Sequence, residues 1–300
     1  MELSIGITCF NAQENIVRAL ASVTYLDDVD YEVIVVDDCS TDNSVTVISE
    51  YVSQLVSSSD REKFRLVCLE KNVGVAGARN EIINAAKGKY LAFLDDDDEW
   101  LPERFKLQRD KLIEHKSVGQ SLLCYGARKK VYMKGEAELI PPVGCTGSVS
   151  SPVIENFFLE GYKQGHEGFG AAGTGTLLTE LSTLKSLNGL DTEFRRCEDL
   201  DLVIRHCLSG GICVGVPAAV ITQYETFSPD KGFKKEMQYR FQLIEKHSKQ
   251  LVESIFVAKL MVKKSISFKS GARLSYLFYY AGLLLASRNF RASKLAQWFR

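Results

Sequence analysis

Histidine is scarce in this sequence, four residues in 300, and the eight cysteines (Cys9, Cys39, Cys68, Cys124, Cys145, Cys197, Cys207 and Cys213) include no C-x-x-C pair. Without clustered imidazoles or paired thiolates at ligand spacing, a zinc site is not expected. Several of the cysteines fall inside apolar runs that read as strands, where a free thiol behaves as a small hydrophobe. Leu3–Phe10 reads as a first strand and not as a leader peptide, so a reducing, cytoplasmic compartment is expected, with the cysteines as thiols. Long apolar runs are missing too. Leu277–Ala286 is broken by Gly282 and falls short of the about 20 residues that a bilayer span needs. Nor does one sign of charge dominate: the chain sums to −1, which excludes a polyelectrolyte. Internal repeats and low-complexity tracts are absent.

What is present is an uneven distribution of ordinary composition. With 45% hydrophobic and 25% charged residues, 300 residues can bury a sizeable core in one domain or two. Lys231–Arg300 carries 15 Lys and Arg against 3 Glu, a balance of +12, which leaves −13 on Met1–Asp230. An acidic body at 1–228 joined to a basic helical region at 229–300 is therefore expected. In that tail, Leu251–Lys264 and Tyr276–Ala286 interleave basic with apolar residues. The pattern suits a helix lying on an anionic membrane surface. It suits equally helices that pack their apolar faces on one another. Nucleic acid is not an expected partner, because no aromatic-basic recognition motif occurs.

Four short apolar runs, Leu3–Cys9, Glu32–Val36, Phe64–Leu69 and Tyr90–Leu94, read as buried strands. Helical stretches ending near Val23, Leu55, Ala86 and His115 alternate with them. That alternation predicts an α/β fold with a mostly parallel, doubly wound central sheet and helices on both faces. Ser57–Glu62 reads as loop. Farther on, Leu122–Tyr125 and Arg128–Met133 read as two strands, and Gly135–Pro152 as a loop over the site. Gly165–Gly175 is the kind of glycine-dense backbone that approaches a ligand. Helices near Leu181–Leu187 and over Glu198–Leu208, a last strand at Val214–Ala219, and helix from about Ser228 onward complete the reading.

The strand ends carry the chemistry. Asp37 and Asp38 follow the second strand, and Asp95, Asp96, Asp97, Asp98 and Glu99 follow the fourth. In an open α/β sheet both groups face the ligand crevice. Five consecutive acids repel one another, so the run reads either as a solvated turn or as a hard-cation site gripping a diphosphate. Asp98 and Glu99 are expected to face solvent or an outer shell.

The motifs occur in a specific order. They are Thr8-Cys9-Phe10-Asn11, then Val35-Val36-Asp37-Asp38 with Ser40-Thr41-Asp42, then Asn72-x-Gly74 with Ala78-Arg79-Asn80. Gly88-x-Tyr90 leading to Phe93-Leu94-Asp95-Asp96-Asp97-Asp98 and Cys197-Glu198-Asp199-Leu200-Asp201 complete the set. Together they resemble a family 2 glycosyltransferase of the GT-A fold, bacterial and non-processive in type, over roughly Leu3–Tyr224. Thr8 departs from the pattern, since the family usually has proline there. The resemblance implies that Thr8, Phe10, Asn11, Glu14 and Asp38 hold the nucleotide base and ribose, with Asn72, Gly74 and Arg79 close by. It implies that Asp95 and Asp97 form the D-x-D motif. Asp97 would contact a Mn or Mg divalent cation, and Asp95 or Asp96 would reach the ribose. Asp199 matches the catalytic base that takes a proton from the acceptor hydroxyl.

Other readings stand beside these. Asp38 also suits a helix N-cap partner, Arg79 a surface arginine, and Asp199 a helix start; Glu198 and Asp201 compete with Asp199 as base. Thr174-Gly175-Thr176 resembles the family's small-residue strand beside the donor sugar, and His166 and Glu167 fall where an acceptor would pass. The implied activity is an inverting, metal-dependent transfer of one sugar, with a UDP-sugar first among donors and a glycan or lipid-linked acceptor. No Q-x-x-R-W motif follows the base, so the product is released after one addition. A cytoplasmic enzyme, peripheral at the inner face of the membrane, fits that acceptor. Rival functions are a nucleotidyltransferase, whose glycine- and basic-rich triphosphate loop Thr8–Arg18 lacks, and a non-catalytic nucleotide-sugar-binding protein. A dinucleotide oxidoreductase is disfavoured because Gly74-x-x-Gly77 follows the third strand and is not G-x-G-x-x-G.

Overall fold

In the computed structural model the apolar runs become the strands of one mixed sheet. The structure describes residues 1–24, 26, 28–116, 119–145, 170–226 and 233–247. His166, Glu167, Leu251–Lys264 and Tyr276–Ala286 lie outside the described residues. The contacts divide the chain after Thr226, so that helix Phe233–Lys246 belongs to a unit separate from the one that holds the sheet.

Strand β1 (Leu3–Cys9) pairs in parallel with β2 (Tyr31–Asp37) on one side and with β4 (Tyr90–Asp95) on the other. Strand β3 (Phe64–Cys68) pairs in parallel with β2. The chain thus runs outward from β1 through β2 to β3 and returns across β1 to begin β4. The carboxyl ends of β1 and β4 flank the point where strand order reverses, the usual place for a ligand crevice. The short strand β5 (Glu99–Trp100) follows, then β6 (Leu122–Val131), β7 (Ala137–Ile140), β8 (Leu177–Glu180) and β9 (Ile212–Tyr224). Beyond β4 the sheet is mixed. Strand β8 is antiparallel to β4 and to β6, while β6 and β9 are parallel. The full order is β3-β2-β1-β4-β8-β6-β9-β5, with β7 paired to β6.

Helices α1 (Ile16–Thr24), α2 (Ser44–Ser53), α3 (Ser58–Glu62), α4 (Gly74–Ala85) and α5 (Arg104–His115) follow in the first half. Helices α6 (Leu181–Ser186), α7 (Glu198–Leu208) and α8 (Phe233–Lys246) complete the described set. In α1, Ile16, Ala19, Leu20 and Val23 recur at helical spacing and join the core with Ile5, Ile7, Val33 and Val35. Each fully buried Ile, Leu or Val among them contributes about 1.5–3 kcal/mol.

Three expectations are corrected. Leu122–Tyr125 and Arg128–Met133 are not two strands: β6 is continuous, with register shifts on either side of Ala127 that break the sequence alternation. Gly135–Pro152 is not all loop, because Ala137–Ile140 pairs with β6 as a hairpin whose residues are mostly exposed. Ser57–Glu62 includes α3, started by the Ser57 hydroxyl accepting from the Ser59 N–H at 3.1 Å.

Two buried polar clusters fix the sheet beneath the crevice. At the amino end of the strands, the Ser4 hydroxyl donates to Glu32 at 2.7 Å, and the backbone N–H groups of Lys87 and Gly88 donate to Glu32 and Ser4. Under the carboxyl end of β4, the wholly buried Arg104 stacks on Trp100 and donates to the carbonyls of Phe93 (3.0 Å) and Leu177 (3.2 Å). Gln108 beside it donates to the carbonyls of Cys124 and Thr176. These side chains tie β4, β6 and the start of β8 together, and so fix where Asp95 emerges.

Candidate active site

Three loops reach the crevice in strained backbone. Asn11 after β1 (φ 52°), Cys39 after β2 (φ 62°) and Cys197 before α7 (φ 67°) all occupy the left-handed region, unusual for residues with a side chain. Such strain, about 1 kcal/mol or more per residue, persists only where the surroundings fix it, and it gathers at functional sites.

Acids at the end of β2 are fully engaged. Asp37 accepts from the Ser40 N–H (2.9 Å) and the Ser40 hydroxyl (2.5 Å). Buried Asp38 accepts from the N–H groups of Val73 (2.7 Å) and Gly74 (2.9 Å), and so caps the start of α4. Gly74 sits at φ 80°, a conformation that leaves its N–H pointing back at Asp38 and that a side chain would strain. The N-cap reading of Asp38 therefore describes its contacts, and any base or ribose contact must use its remaining lone pairs. Around it, Asn72 donates to the Asp38 carbonyl (3.1 Å) and accepts from Arg195 (3.4 Å), while Asn11 accepts from the Thr41 N–H (2.8 Å). Thr8 lies in register between Val36 and Asp95. Phe10 is exposed, with its N–H donating to Asp96 at 3.1 Å. Glu14 is exposed on the approach to α1.

Acids at the end of β4 are crowded instead. Arg79 is not a surface arginine: it is buried and bridges two elements, donating to Asp95 at 2.8 Å and to Glu198 at 2.9 Å. Gly175 makes room for this, since a Cβ there would stand 3.0 Å from an Asp95 oxygen. Burial, with the charges of Asp97 and Asp95, pushes Asp96 up to about 7. Asp97 accepts from the Thr226 hydroxyl at 2.7 Å, and its carbonyl receives the Arg18 guanidinium, which stacks on Tyr224. Asp98 corrects the sequence reading. The turn that joins its N–H to the Asp95 carbonyl folds it inward, wholly buried, and among the described residues neither carboxylate oxygen has a partner in hydrogen-bond geometry. Burial first, then Asp95 and Asp97, raise its pKa well above the usual carboxylate range.

Three carboxylates open α7. Asp201 is wholly buried and ion-paired to Arg205 at 2.6 Å, and Arg205 in turn holds the carbonyls of Leu187 and Gly189. Asp201 is thereby committed to anchoring the helix. Glu198 is buried against Arg79, and burial together with Asp199 raises its pKa. Asp199 is partly buried and accepts from the Leu200 N–H at 2.8 Å. Desolvation raises its pKa, against the pull of Arg79 and Arg128. Of the three, it is the acid with neither an arginine nor a lysine hydrogen-bonded to it among the described residues. Arg128 on β6 was not singled out in the sequence, where it reads as one more basic residue on an exposed strand.

Among the described residues, no group of three or more His, Cys, Asp or Glu side chains could by itself hold a metal ion. The donor set at Asp95–Asp97 nevertheless fits a hard cation: partly exposed carboxylates at one strand end, able to supply one or two ligands while a diphosphate supplies others.

Residues 4–176, more than half of the chain, match the family model described as glycosyl transferase family 2. Among curated relatives, the chain is 34% identical over 112 residues to a putative teichuronic acid biosynthesis glycosyltransferase, TuaG, of Bacillus subtilis, covering 37% of this chain and 42% of that one. It is 29% identical over 214 residues to the amylovoran biosynthesis glycosyltransferase AmsB of Erwinia amylovora, covering 68% and 64%. It is 34% identical over 111 residues, 36% and 40% of the two chains, to WfaP of Escherichia coli, named a UDP-Glc:alpha-D-GlcNAc-diphosphoundecaprenol beta-1,3-glucosyltransferase. The match thus spans under half the length of the first of these relatives. Among solved structures, S. aureus TarS 1-349 in complex with UDP-GlcNAc superposes with a TM-score of 0.64 at 17% identity, over 95% of this chain and 81% of that one. That likeness establishes the GT-A fold.

Proposed function

Since the chain belongs to glycosyl transferase family 2, we propose that it moves one sugar from a nucleotide-diphosphate sugar to a hydroxyl of a glycan or lipid-linked acceptor. A UDP-sugar is the first candidate donor, in line with the UDP-GlcNAc bound by TarS and the UDP-Glc in the name of WfaP. The observation that carries this reading is the Arg79 bridge. By pairing Asp95 at the end of β4 with Glu198 at the start of α7, it holds an acid of the D-x-D run and the neighbour of a candidate base, Asp199, at one crevice.

In this reading the crevice at the ends of β1 and β2, with Thr8, Phe10, Asn11, Glu14, Asp38, Asn72 and Gly74, receives the nucleotide. Asp97 would hold a Mn²⁺ or Mg²⁺ ion, which when bound neutralises charge on a departing diphosphate, with Asp95 or Asp96 reaching the ribose. Asp199 takes the proton of the acceptor hydroxyl as its oxygen attacks the anomeric carbon, and the bond from that carbon to the diphosphate breaks. A single displacement of this kind inverts the anomeric centre. The raised pKa of Asp199 brings its basicity closer to working pH, which strengthens a general base. Glu198 is bound to Arg79, and Asp201 to Arg205, so neither is as available for this step.

Residues 1–228 form the catalytic domain in this proposal, and 229–300 the basic appendage. The +12 balance of Lys231–Arg300 supports placing that appendage against the anionic inner face of the membrane, where a lipid-linked acceptor would be presented. No helix among the described residues is long and apolar enough to cross a membrane. The test is a thermal-shift panel of nucleotide sugars with Mn²⁺, followed by transfer assays with any sugar that stabilises the protein. Stabilisation by at least one nucleotide sugar, with release of its nucleoside diphosphate on adding acceptor, is expected. A folded protein that no nucleotide diphosphate sugar stabilises would overturn the reading.

A further inference from the structure

Arg128 stands in the crevice with its fork unengaged by any described residue. Among the described residues no hydrogen bond or ion pair engages its guanidinium, and its Nε is shut off from solvent without a partner. It is close to the turn before β8, since a Cβ built on Gly173 would come within 3.1 Å of one of its terminal nitrogens. The irregularity in β6 explains why it points there. Tyr125 and Arg128, three apart, would face opposite sides of a regular strand. The register shifts on either side of Ala127 lie between them, and both side chains end within electrostatic reach of Asp199. A bulge that re-aims a side chain beside a site is a common use of such an irregularity.

The contrast with Arg79 locates the missing partner. Arg79 spends its fork on Asp95 and Glu198, at the donor end of the crevice. The backbone of Arg128 belongs to β6, two strands beyond β4 in the sheet order and roughly 10 Å across the sheet from it. In a single displacement the leaving diphosphate and the incoming hydroxyl lie on opposite faces of the anomeric carbon. Arg128 is thus rooted on the side of the crevice away from the nucleotide, with its charge reaching Asp199 and also Asp98, where a phosphate on the incoming acceptor would meet it. Arginine's planar fork matches phosphoryl oxygens two at a time, and an unpaired arginine beside a catalytic crevice suits that use.

We propose that Arg128 is the anion-recognition residue of the acceptor subsite, taking a phosphate group that the acceptor carries near the hydroxyl being glycosylated. The assignment rests on the glycosyl-transfer reading above for the word acceptor, and on the geometry of Arg128 for the anion. Methyl phosphate is the probe, titrated into full-length protein saturated with UDP and Mg²⁺, for wild type, Arg128→Gln and Arg128→Lys. Thermal unfolding of each variant is recorded alongside. Wild type is expected to bind the probe, Arg128→Gln to bind it at least about tenfold more weakly, and Arg128→Lys to fall between. Unfolding temperature and UDP affinity should stay as in wild type. Equal binding by wild type and Arg128→Gln overturns the proposal. So does a loss of UDP affinity in both variants, which would assign Arg128 to the donor diphosphate. If wild type transfers sugar but binds no methyl phosphate, the subsite is wrong and glycosyl transfer stands. If the probe binds through Arg128 and wild type transfers no sugar from any donor, the glycosyl-transfer reading alone is wrong.

Discussion

The acids that end β2 and those that end β4 look alike in sequence and differ in what they touch. Asp37 and Asp38 take four short hydrogen bonds from neutral donors, two of them from the first N–H groups of the α4 start. Asp96 and Asp98 stand desolvated beside the charges of Asp95 and Asp97, and among the described residues neither carboxylate oxygen of Asp98 has a partner in good hydrogen-bond geometry. The same division recurs within α7, where Asp201 is locked to Arg205 and, among the described residues, no basic side chain is hydrogen-bonded to Asp199. Acids that are satisfied within the chain build the crevice. Acids that are crowded store a cost that a cation or ligand can relieve.

The sharpest break should come between the two acids of α7. Asp199→Asn is expected to lower transfer by about 10²-fold or more, the scale of a general base, while leaving nucleotide-sugar binding and unfolding temperature near wild type. Transfer at the wild-type rate would move the base elsewhere, with Glu198 next to be tried. Asp38→Ala tests the satisfied class. Loss of the cap should destabilise by about 2 kcal/mol, which for a chain of this size lowers the unfolding temperature by about 4–8 °C.

pH separates the crowded class as a whole. Asp96, Asp98 and Glu198 all have raised values, Asp96 to about 7 against an ordinary 3.8. Between the ordinary and the raised values the native chain holds more protons than the unfolded chain, so stability falls as pH rises through that window. Ligand-free protein should therefore unfold a few degrees lower at pH 8 than at pH 6, and Asp98→Asn should flatten the dependence. A rise in stability over that range would contradict the crowding. At the small end, Glu14→Ala should shift stability by no more than about 0.5 kcal/mol, as an exposed residue does. A weaker UDP affinity in that variant, measured by titration, would place Glu14 on the nucleotide.

The parallel half of the fold was legible because β1, β2 and β4 are short, mostly apolar runs of strand length, with polar residues close on either side. The antiparallel half was not. Gly126 and the adjacent shifts hide the continuity of β6, and β7 exposes most of its short length, so neither shows an alternation to read. In the site, the identity of the acidic residues was written in the sequence and their environments were not. Asp98 reads with Glu99 as the solvent-facing end of a charged run, yet it is wholly buried, in a turn whose N–H bonds the Asp95 carbonyl. Asp201 and Asp199 differ only in which one falls opposite Arg205, a matter of helical position. Arg128 reads as a surface residue because a bulge, not composition, decides which way it faces.

The account stands on the claim that the acids after β4 are completed by a divalent cation shared with a diphosphate. Titrating UDP into chelator-treated protein, with and without Mn²⁺, tests it directly. Binding that appears with Mn²⁺ and is lost without it is the expected result, with Asp97→Asn reproducing the loss in the presence of the ion. Equal UDP affinity in both conditions would contradict the claim.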